Sequence, residues 1–240
     1  MIDPNRPKST VEEIRRRFDN EVDRFSSLET GQAATMDAPL VMQMICTAAA
    51  GTTPKAKRLL DVGCGAGNYS LKLLQSLPRL NVTLLDLSGA MLDRATERVS
   101  AATDGGVRAI QSDIREIDLG MESFDIILAS AVLHHLRDDS EWENVFRKFH
   151  QCLTPGGSLW IADLVDHGLP AVSALMVGRY GKFLEDLRGA EYRQTVFDYV
   201  LREDTPKPLM FQIDLLRKVG FRSVEILHKN SVFAAFGALK

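Results

Sequence analysis

The stretch "LLDVGCGAGNYS" (residues 59–70) decides the fold, because an apolar run leads directly into a glycine-rich loop. Gly63, Gly65 and Gly67 alternate with other small residues, and Asp61 precedes the first glycine. Loops of this kind join a parallel strand to a helix and bring backbone groups close to a bound molecule. The stretch therefore predicts a strand–loop–helix unit with a ligand site at the carboxyl end of the strand.

Short apolar segments alternate with helical patterns after this loop. They are almost wholly apolar, as expected for a parallel sheet covered on both faces, and comprise residues 58–63, 81–88, 107–113, 124–132 and 157–165. Two further strand candidates, residues 223–229 and 231–239, follow each other so closely that they must be antiparallel. The pattern predicts a doubly wound α/β fold with a mostly parallel, seven-stranded sheet that ends in an antiparallel hairpin.

The other segments are helical additions to a single domain (1–240). Thr10 and Glu13 have capping-box spacing and open an amphipathic helix over residues 10–26, and a second helix is expected from Asp37 to Ala50. The domain then divides into an N-terminal helical lid (1–50), a ligand-binding core (56–165), a helical cap (166–208) and a last helix with the hairpin (209–240).

Composition narrows the functional classes. The 240 residues are 45% hydrophobic and carry a net charge of −3, so nucleic acid is an unexpected partner and "RRR" (residues 15–17) is interpreted as a solvated helix face. The apolar runs are too short for a membrane span, and "MIDPNRPKST" has no secretory core. Cys46, Cys64 and Cys152 have no CxxC spacing, which argues against disulfides and zinc and favours a cytoplasmic location.

The loop spacing excludes two common ligands and points to a third. Asn68 stands where a dinucleotide loop carries glycine or alanine, and no Lys-Ser/Thr pair follows to form a phosphate-binding P-loop. The remaining pattern, D-x-G-x-G-x-G, resembles motif I of the class I S-adenosylmethionine-dependent methyltransferases. The resemblance implies a Rossmann-like fold, S-adenosyl-L-methionine as cofactor and Asp61 acting on the cofactor's ammonium group directly or through water.

The ends of the next strands extend the resemblance. Asp86 ends the second strand, where a carboxylate binds both ribose hydroxyls of an adenosine, while Ser88 is better placed to cap the helix. In this family Asp113 and Ile114 would contact the adenine. The resemblance thus implies cofactor-binding residues on the loop and on the strand ends: Asp61, Gly63, Cys64, Gly65, Gly67, Asp86, Leu87, Asp113, Ile114 and Ser130.

Candidates for a general base are few. His134 and His135 follow the fourth strand at the rim of the expected site, and we expect at most one of the two to face it. A structural turn is the favoured interpretation of both, and a catalytic role of either is the alternative. Asp138 lies four residues after His134, but no third ligand is evident, so no metal is expected. Asp163 follows the fifth strand and is interpreted as a polar strand exit.

The acceptor is expected to be a small molecule, because a compact helical cap suits one better than a folded RNA. Aromatic and methionine side chains of the cap would wall its pocket: Met176, Tyr180, Phe183, Tyr192, Phe197 and Tyr199. The first helix could pack within the chain or across a homodimer, and the sequence leaves both open.

Two alternatives to a methyltransferase with a small-molecule acceptor remain. "RFDNEVDRFSSLETG" and "YRQTVFDYVLREDTP" are similar to carboxy-S-adenosylmethionine synthases, which serve tRNA modification, and this resemblance implies that Arg193 grips a carboxylated cofactor. The tyrosine that those enzymes carry before the second helix is absent from "ATMDAPL" (residues 34–40). The other alternative is a catalytically silent protein that binds the cofactor and serves as a partner.

Overall fold

The computed structural model describes residues 7–27 and 32–240. The beginning of the N-terminal lid and part of the polar break predicted over residues 26–32 lie outside the described residues. No helix in the described ranges is long and apolar enough to cross a membrane.

A seven-stranded sheet forms the centre of the domain, with strand order β3-β2-β1-β4-β5-β7-β6. The neighbours from β3 to β5 pair in parallel, whereas β7 pairs antiparallel with both β5 and β6. The strands are β1 (Arg58–Val62), β2 (Asn81–Asp86), β3 (Val107–Gln111), β4 (Phe124–Ser130), β5 (Leu153–Leu164), β6 (Val224–Asn230) and β7 (Phe233–Leu239). The predicted doubly wound sheet with its terminal hairpin is confirmed.

Helices cover both faces of this sheet. Their bounds are α1 (Val11–Asp19), α2 (Val22–Ser26), α3 (Ala38–Thr52), α4 (Asn68–Leu74), α5 (Gly89–Ser100), α6 (Asp139–Cys152), α7 (Pro170–Arg188), α8 (Ala190–Glu203) and α9 (Leu209–Lys218). Successive residues of β1 lie in two different apolar cores. Leu59 packs in the core that contains residues of α3, α4 and α5, whereas Leu60 packs in the core that contains residues of α6 and α9. This alternation explains why the strands are apolar almost throughout.

The helical additions pack over the carboxyl ends of the strands. Tyr180 and Leu184 of α7 and Val196 of α8 form a third apolar cluster with Ala34 and with Phe233 of β7. The region between β5 and α9 is helical, as predicted for residues 170–205.

Two boundaries differ from the predictions. The helix expected over residues 10–26 is broken into α1 and α2, because Asn20 caps α1 and its side-chain amide donates to the carbonyl of Arg16 at 2.9 Å, in competition with the helix backbone. The capping box of Thr10 and Glu13 is present as predicted. Strand β5 begins at Leu153, four residues before the predicted start.

Candidate active site

The glycine loop after β1 forms one wall of the main cavity. Gly63, Gly65 and Gly67 all have positive φ, at 63°, 49° and 80°, which other residues adopt only with strain. A Cβ atom on Gly63 would lie 2.5 Å from Val132 Cγ2, whereas one on Gly65 would meet no atom within 4 Å. Gly63 is therefore required by packing, while Gly65 faces open space in which a ligand can approach the backbone.

Asp86, at the end of β2, fixes this loop and faces the same cavity. Its Oδ2 accepts a hydrogen bond from the Gly65 amide at 2.9 Å, and its Oδ1 accepts one from the Ser88 amide, also at 2.9 Å. Burial raises the pKa of Asp86, and these amide donors oppose the rise. Each carboxylate oxygen keeps a lone pair for a further donor such as a hydroxyl group. Ser88 caps α5 through the Met91 amide, as predicted.

Asp61 lies under the loop and is 2% exposed. Ser70 Oγ donates to its Oδ2 at 2.6 Å. Burial raises the pKa of Asp61 to about 7, the nearby charge of Asp86 adds to the rise, and the Ser70 hydrogen bond opposes it. Since Asp61 lines the cavity, a ligand ammonium group bound there would favour the ionised carboxylate.

A smaller cavity adjoins the first beside the ends of β2 and β3, and Asp113, Ile114 and Leu87 line it together with Asp86. Arg115 donates to the Asp113 carboxylate from its amide at 2.9 Å and from its Nε at 3.0 Å. Burial raises the pKa of Asp113, but the hydrogen bonds from Arg115 outweigh burial and lower it overall. Asp113 is thus an ionised acceptor one strand away from Asp86.

The N-terminal helices cover the main cavity. Ser88 Oγ donates to Asp19 at 2.5 Å, and the Asn68 side chain donates to the Phe25 carbonyl at 2.9 Å. Arg17 reaches Glu203 at the end of α8 with an N–O distance of 2.6 Å. The prediction that residues 15–17 form a solvated face is therefore wrong for Arg17, whose side chain is 21% exposed and lines the cavity.

His134 lines the main cavity and forms a buried pair with Asp163. His134 Nδ1 hydrogen-bonds Asp163 Oδ1, and Asp163 Oδ2 accepts from the Leu133 amide at 2.7 Å. Burial lowers the pKa of His134, but the charges of Asp163 and Asp204 outweigh burial and raise it to about 9. Asp163 is thus the positioning partner of His134 rather than a polar strand exit.

His135 also lines the cavity, contrary to the expectation that at most one of the two histidines would. The residues lie in a 3₁₀ turn (Leu133–His135), and their rings are 4.3 Å apart with planes tilted by 59°. Burial and the nearby charge of His134 lower the pKa of His135 well below its usual value. The two imidazoles therefore differ in charge at neutral pH.

Asp204, immediately after α8, brings a third group to this cluster. Its Oδ1 lies 3.6 Å from His134 Nε2 and 3.4 Å from His135 Nδ1. Burial raises the pKa of Asp204 to about 6, although the charge of His134 opposes the rise. Asp138, the metal ligand considered from sequence, instead caps α6 through the Ser140 and Glu141 amides.

Several predicted residues take other positions. Tyr180 and Tyr199 line the cavity, whereas the other four aromatic and methionine side chains predicted as its wall pack in the cluster around α7 and α8: Met176, Phe183, Tyr192 and Phe197. Arg193 is absent from the cavity lining, pairs with Glu185 at 3.1 Å and packs over the Phe197 ring. The roles that Arg17, Asp163 and Asp204 have in this structure were not indicated by the sequence, because tertiary contacts bring each of them to its partners.

Some buried polar atoms of the cavity wall lack a hydrogen-bond partner. Among the described residues these include Gln32 Oε1, His135 Nε2 and Asp204 Oδ1. Unpaired buried polar atoms are rare in folded proteins, and their presence in one cavity indicates a polar ligand. The cavity has a volume of about 180 Å³.

Known proteins resemble this chain in sequence and in fold. Residues 59–157 match a methyltransferase domain family. The chain is 27% identical over 157 residues to a malonyl-[acyl-carrier protein] O-methyltransferase of Paenibacillus, covering 65% of this chain and 54% of that protein. It is 26% identical over 191 residues to a demethylmenaquinone methyltransferase of Listeria monocytogenes, covering 78% and 79%. The chain spans about half the length of several curated relatives it matches.

A solved structure agrees over the whole fold. The 1,6-didemethyltoxoflavin-N1-methyltransferase of Burkholderia thailandensis, solved with bound 1,6-didemethyltoxoflavin and S-adenosylhomocysteine, superposes with a TM-score of 0.62 at 18% identity. The match covers 100% of this chain and 93% of that one. With the strand order, the glycine loop and the matched domain, these similarities support the resemblance to the class I S-adenosylmethionine-dependent methyltransferases.

Proposed function

We propose that this protein transfers a methyl group from S-adenosyl-L-methionine to a small-molecule acceptor. The observation that carries the proposal is that one cavity is lined both by Gly65 and Asp86 and by His134, His135 and Asp204. We assign the first group, called the cofactor end below, to the cofactor and the second group, called the acceptor end, to the acceptor. The matched methyltransferase domain and the relatives named above support the same reaction.

The residues at the first end fit the cofactor, which has hydroxyls and an ammonium group but no phosphate. Asp86 would accept from the ribose hydroxyls, Asp61 would pair with the ammonium group, and the open side of Gly65 would admit the amino-acid portion. Asp113 and Ile114 would hold the adenine in the smaller cavity. When bound, the cofactor supplies an electrophilic methyl group on a sulfonium.

The protein's own contribution is to position and desolvate the reacting atoms. Methyl transfer is an in-line displacement and gains mainly from holding nucleophile, carbon and leaving sulfur collinear. Aromatic side chains enclose the cavity, and they suit a flat organic molecule: Phe18, Phe25, Tyr180, Tyr199 and Phe233. The cluster of His134, His135 and Asp204 is placed to promote loss of the acceptor's proton.

Titration calorimetry with S-adenosylmethionine tests this proposal. We expect binding with a dissociation constant below the millimolar range, and we expect Asp86→Ala to weaken it by about 1–3 kcal/mol through lost charge-assisted hydrogen bonds. Asp93→Ala, at an exposed position of α5, is the matched control and should leave the affinity unchanged. Absence of binding by the folded wild-type protein would remove the basis for methyl transfer.

A second measurement addresses the acceptor. Methyl-labelled cofactor incubated with a panel of aromatic hydroxyl and heterocyclic nitrogen compounds should yield a labelled product and S-adenosylhomocysteine in equal amounts. Cofactor binding without transfer to any member of a broad panel would favour the catalytically silent alternative. Mass spectrometry of cofactor that co-purifies with the protein would detect the carboxylated form, for which Arg193 offers no cavity contact.

A further inference from the structure

We propose that His134, His135 and Asp204 bind a divalent first-row transition-metal ion such as Zn²⁺. Each offers one ligand atom, and these atoms all lie within 4.8 Å of one another. Two imidazoles and one carboxylate form a donor set that suits Zn²⁺ and other first-row ions, as in the 2-His-1-carboxylate sites of non-haem iron proteins. The three residues come from two parts of the chain, the turn after β4 and the end of α8.

Two of the three distances between ligand atoms are close to those around a bound ion. Asp204 Oδ1 is 3.6 Å from His134 Nε2 and 3.4 Å from His135 Nδ1. Ligand bonds of about 2.0–2.2 Å in a tetrahedral zinc site place neighbouring ligand atoms roughly 3.3 Å apart. An ion can therefore be accommodated with small side-chain movements.

A second layer of contacts holds the first ligand in the required orientation. Asp163 binds Nδ1 of His134, which directs Nε2 of the same ring toward Asp204. Asp163 is itself held by the Leu133 amide at 2.7 Å. Metal-binding histidines characteristically pair their other ring nitrogen with a carboxylate in this way.

Asp204 supplies an independent indication that a ligand binds at this cluster. Its carboxylate is 2% exposed, and its Oδ1 has no hydrogen-bond partner. Arg17 is nearby but pairs with Glu203 at 2.6 Å, and Arg137 donates to the Glu203 carbonyl at 2.5 Å. A buried carboxylate oxygen without a donor is costly, and an ion at this position would satisfy it.

The place of the cluster in the cavity indicates the class of acceptor. This step rests on the proposed function, whereas the metal site itself does not. Three protein ligands leave a coordination position for a ligand atom from the cavity side. Bound cations lower the pKa of hydroxyl groups that coordinate them, so an acceptor with a hydroxyl nucleophile is the class that this site would favour.

Metal binding can be measured directly on the full chain. Protein without a polyhistidine tag is stripped with a chelator and titrated with ZnCl₂ by calorimetry, and with CoCl₂ by visible absorption, in the absence of cofactor. We expect one ion per chain and saturable cobalt absorption typical of nitrogen and oxygen ligands. Asp204→Asn and His135→Asn should each lower the zinc affinity at least tenfold, and Asp163→Asn by about 10–100-fold.

His167→Asn is the matched control, because this histidine contacts Lys229 and does not line the cavity. It should retain wild-type affinity. Circular dichroism establishes that each variant is folded. If one of the two ligand variants does not fold, the other alone provides the test. Absence of saturable cobalt binding by the wild type would overturn the proposal, as would unchanged zinc affinity in a folded ligand variant. Failure of cofactor binding with intact zinc binding would instead refute only the proposed methyl transfer.

Discussion

The two ends of the cavity are built in different ways. At the cofactor end, the polar contacts come from one short loop and from a carboxylate at the end of the neighbouring strand, Gly65 and Asp86. At the acceptor end, Arg17, His134, Tyr180 and Asp204 come from segments far apart in the chain. The first end follows from local sequence, whereas the second exists only once the lid and cap have packed on the sheet.

Alanine at Gly63 and at Gly65 separates packing from ligand contact within the loop. Both changes impose strain at positive φ, and Gly63→Ala also drives a Cβ into Val132. We expect Gly63→Ala to lower the free energy of unfolding by roughly 3–5 kcal/mol and Gly65→Ala by roughly 1–2 kcal/mol. Gly65→Ala should nevertheless weaken cofactor binding. Equal losses of stability in chemical denaturation would contradict the different surroundings described for these glycines.

The pH dependence of stability tests the buried acid beneath the loop. The folded pKa of Asp61, about 7, lies above its ordinary value of 3.8. Between these values the native state binds more protons than the unfolded state, so its stability falls as pH rises, by up to about 4 kcal/mol. Asp61→Asn should remove this fall in thermal unfolding between pH 4 and about pH 7. Parallel wild-type and variant profiles would show that Asp61 titrates normally.

The lid can be tested with two neighbouring arginines of α1. Arg17 pairs with the buried Glu203, whereas Arg16 is 72% exposed and pairs with Glu12. We expect Arg17→Met to cost about 2–3 kcal/mol of unfolding free energy, because it removes the closer of the two arginine partners of a buried carboxylate. Arg16→Met should cost less than about 0.5 kcal/mol. If the two variants unfold at the same denaturant concentration, the ion pair does not fasten the lid.

The smallest effect is expected where the cap meets the lid. Tyr180 Oη donates to the Ala34 carbonyl at 2.9 Å in a buried position. Tyr180→Phe should lower the unfolding free energy by about 0.5–1.5 kcal/mol and leave cofactor affinity unchanged, since the hydroxyl belongs to the acceptor end. A marked loss of cofactor affinity would mean that the two ends are coupled more closely than their separate construction implies.

The glycine loop and the strand that precedes it were predicted well from the sequence, because their signals are local. Apolar segments that alternate with helical patterns predicted the sheet. The position of Ser88, two residues after Asp86, predicted that Ser88 and not Asp86 caps the helix. Asn68, used to exclude a dinucleotide loop, also binds the lid through the Phe25 carbonyl. That contact could not be foreseen, since it joins residues from separate segments.

The acceptor end was largely unpredictable for the same reason. Asp204 is one of several acids near a helix end, and Arg17 belongs to a run of three arginines. Their roles depend on burial and on the neighbours that the fold supplies. The break of the first helix arose from competition by the Asn20 side chain, which periodicity alone does not reveal.

A crystal structure with S-adenosylhomocysteine tests the division of the cavity most directly. We predict the ribose hydroxyls within hydrogen-bonding distance of the Asp86 carboxylate and the adenine beside Ile114 in the smaller cavity. The sulfur should face the part of the cavity lined by His134, His135 and Asp204. A nucleoside bound away from Asp86, or an adenine seated between His134 and Asp204, would contradict the account.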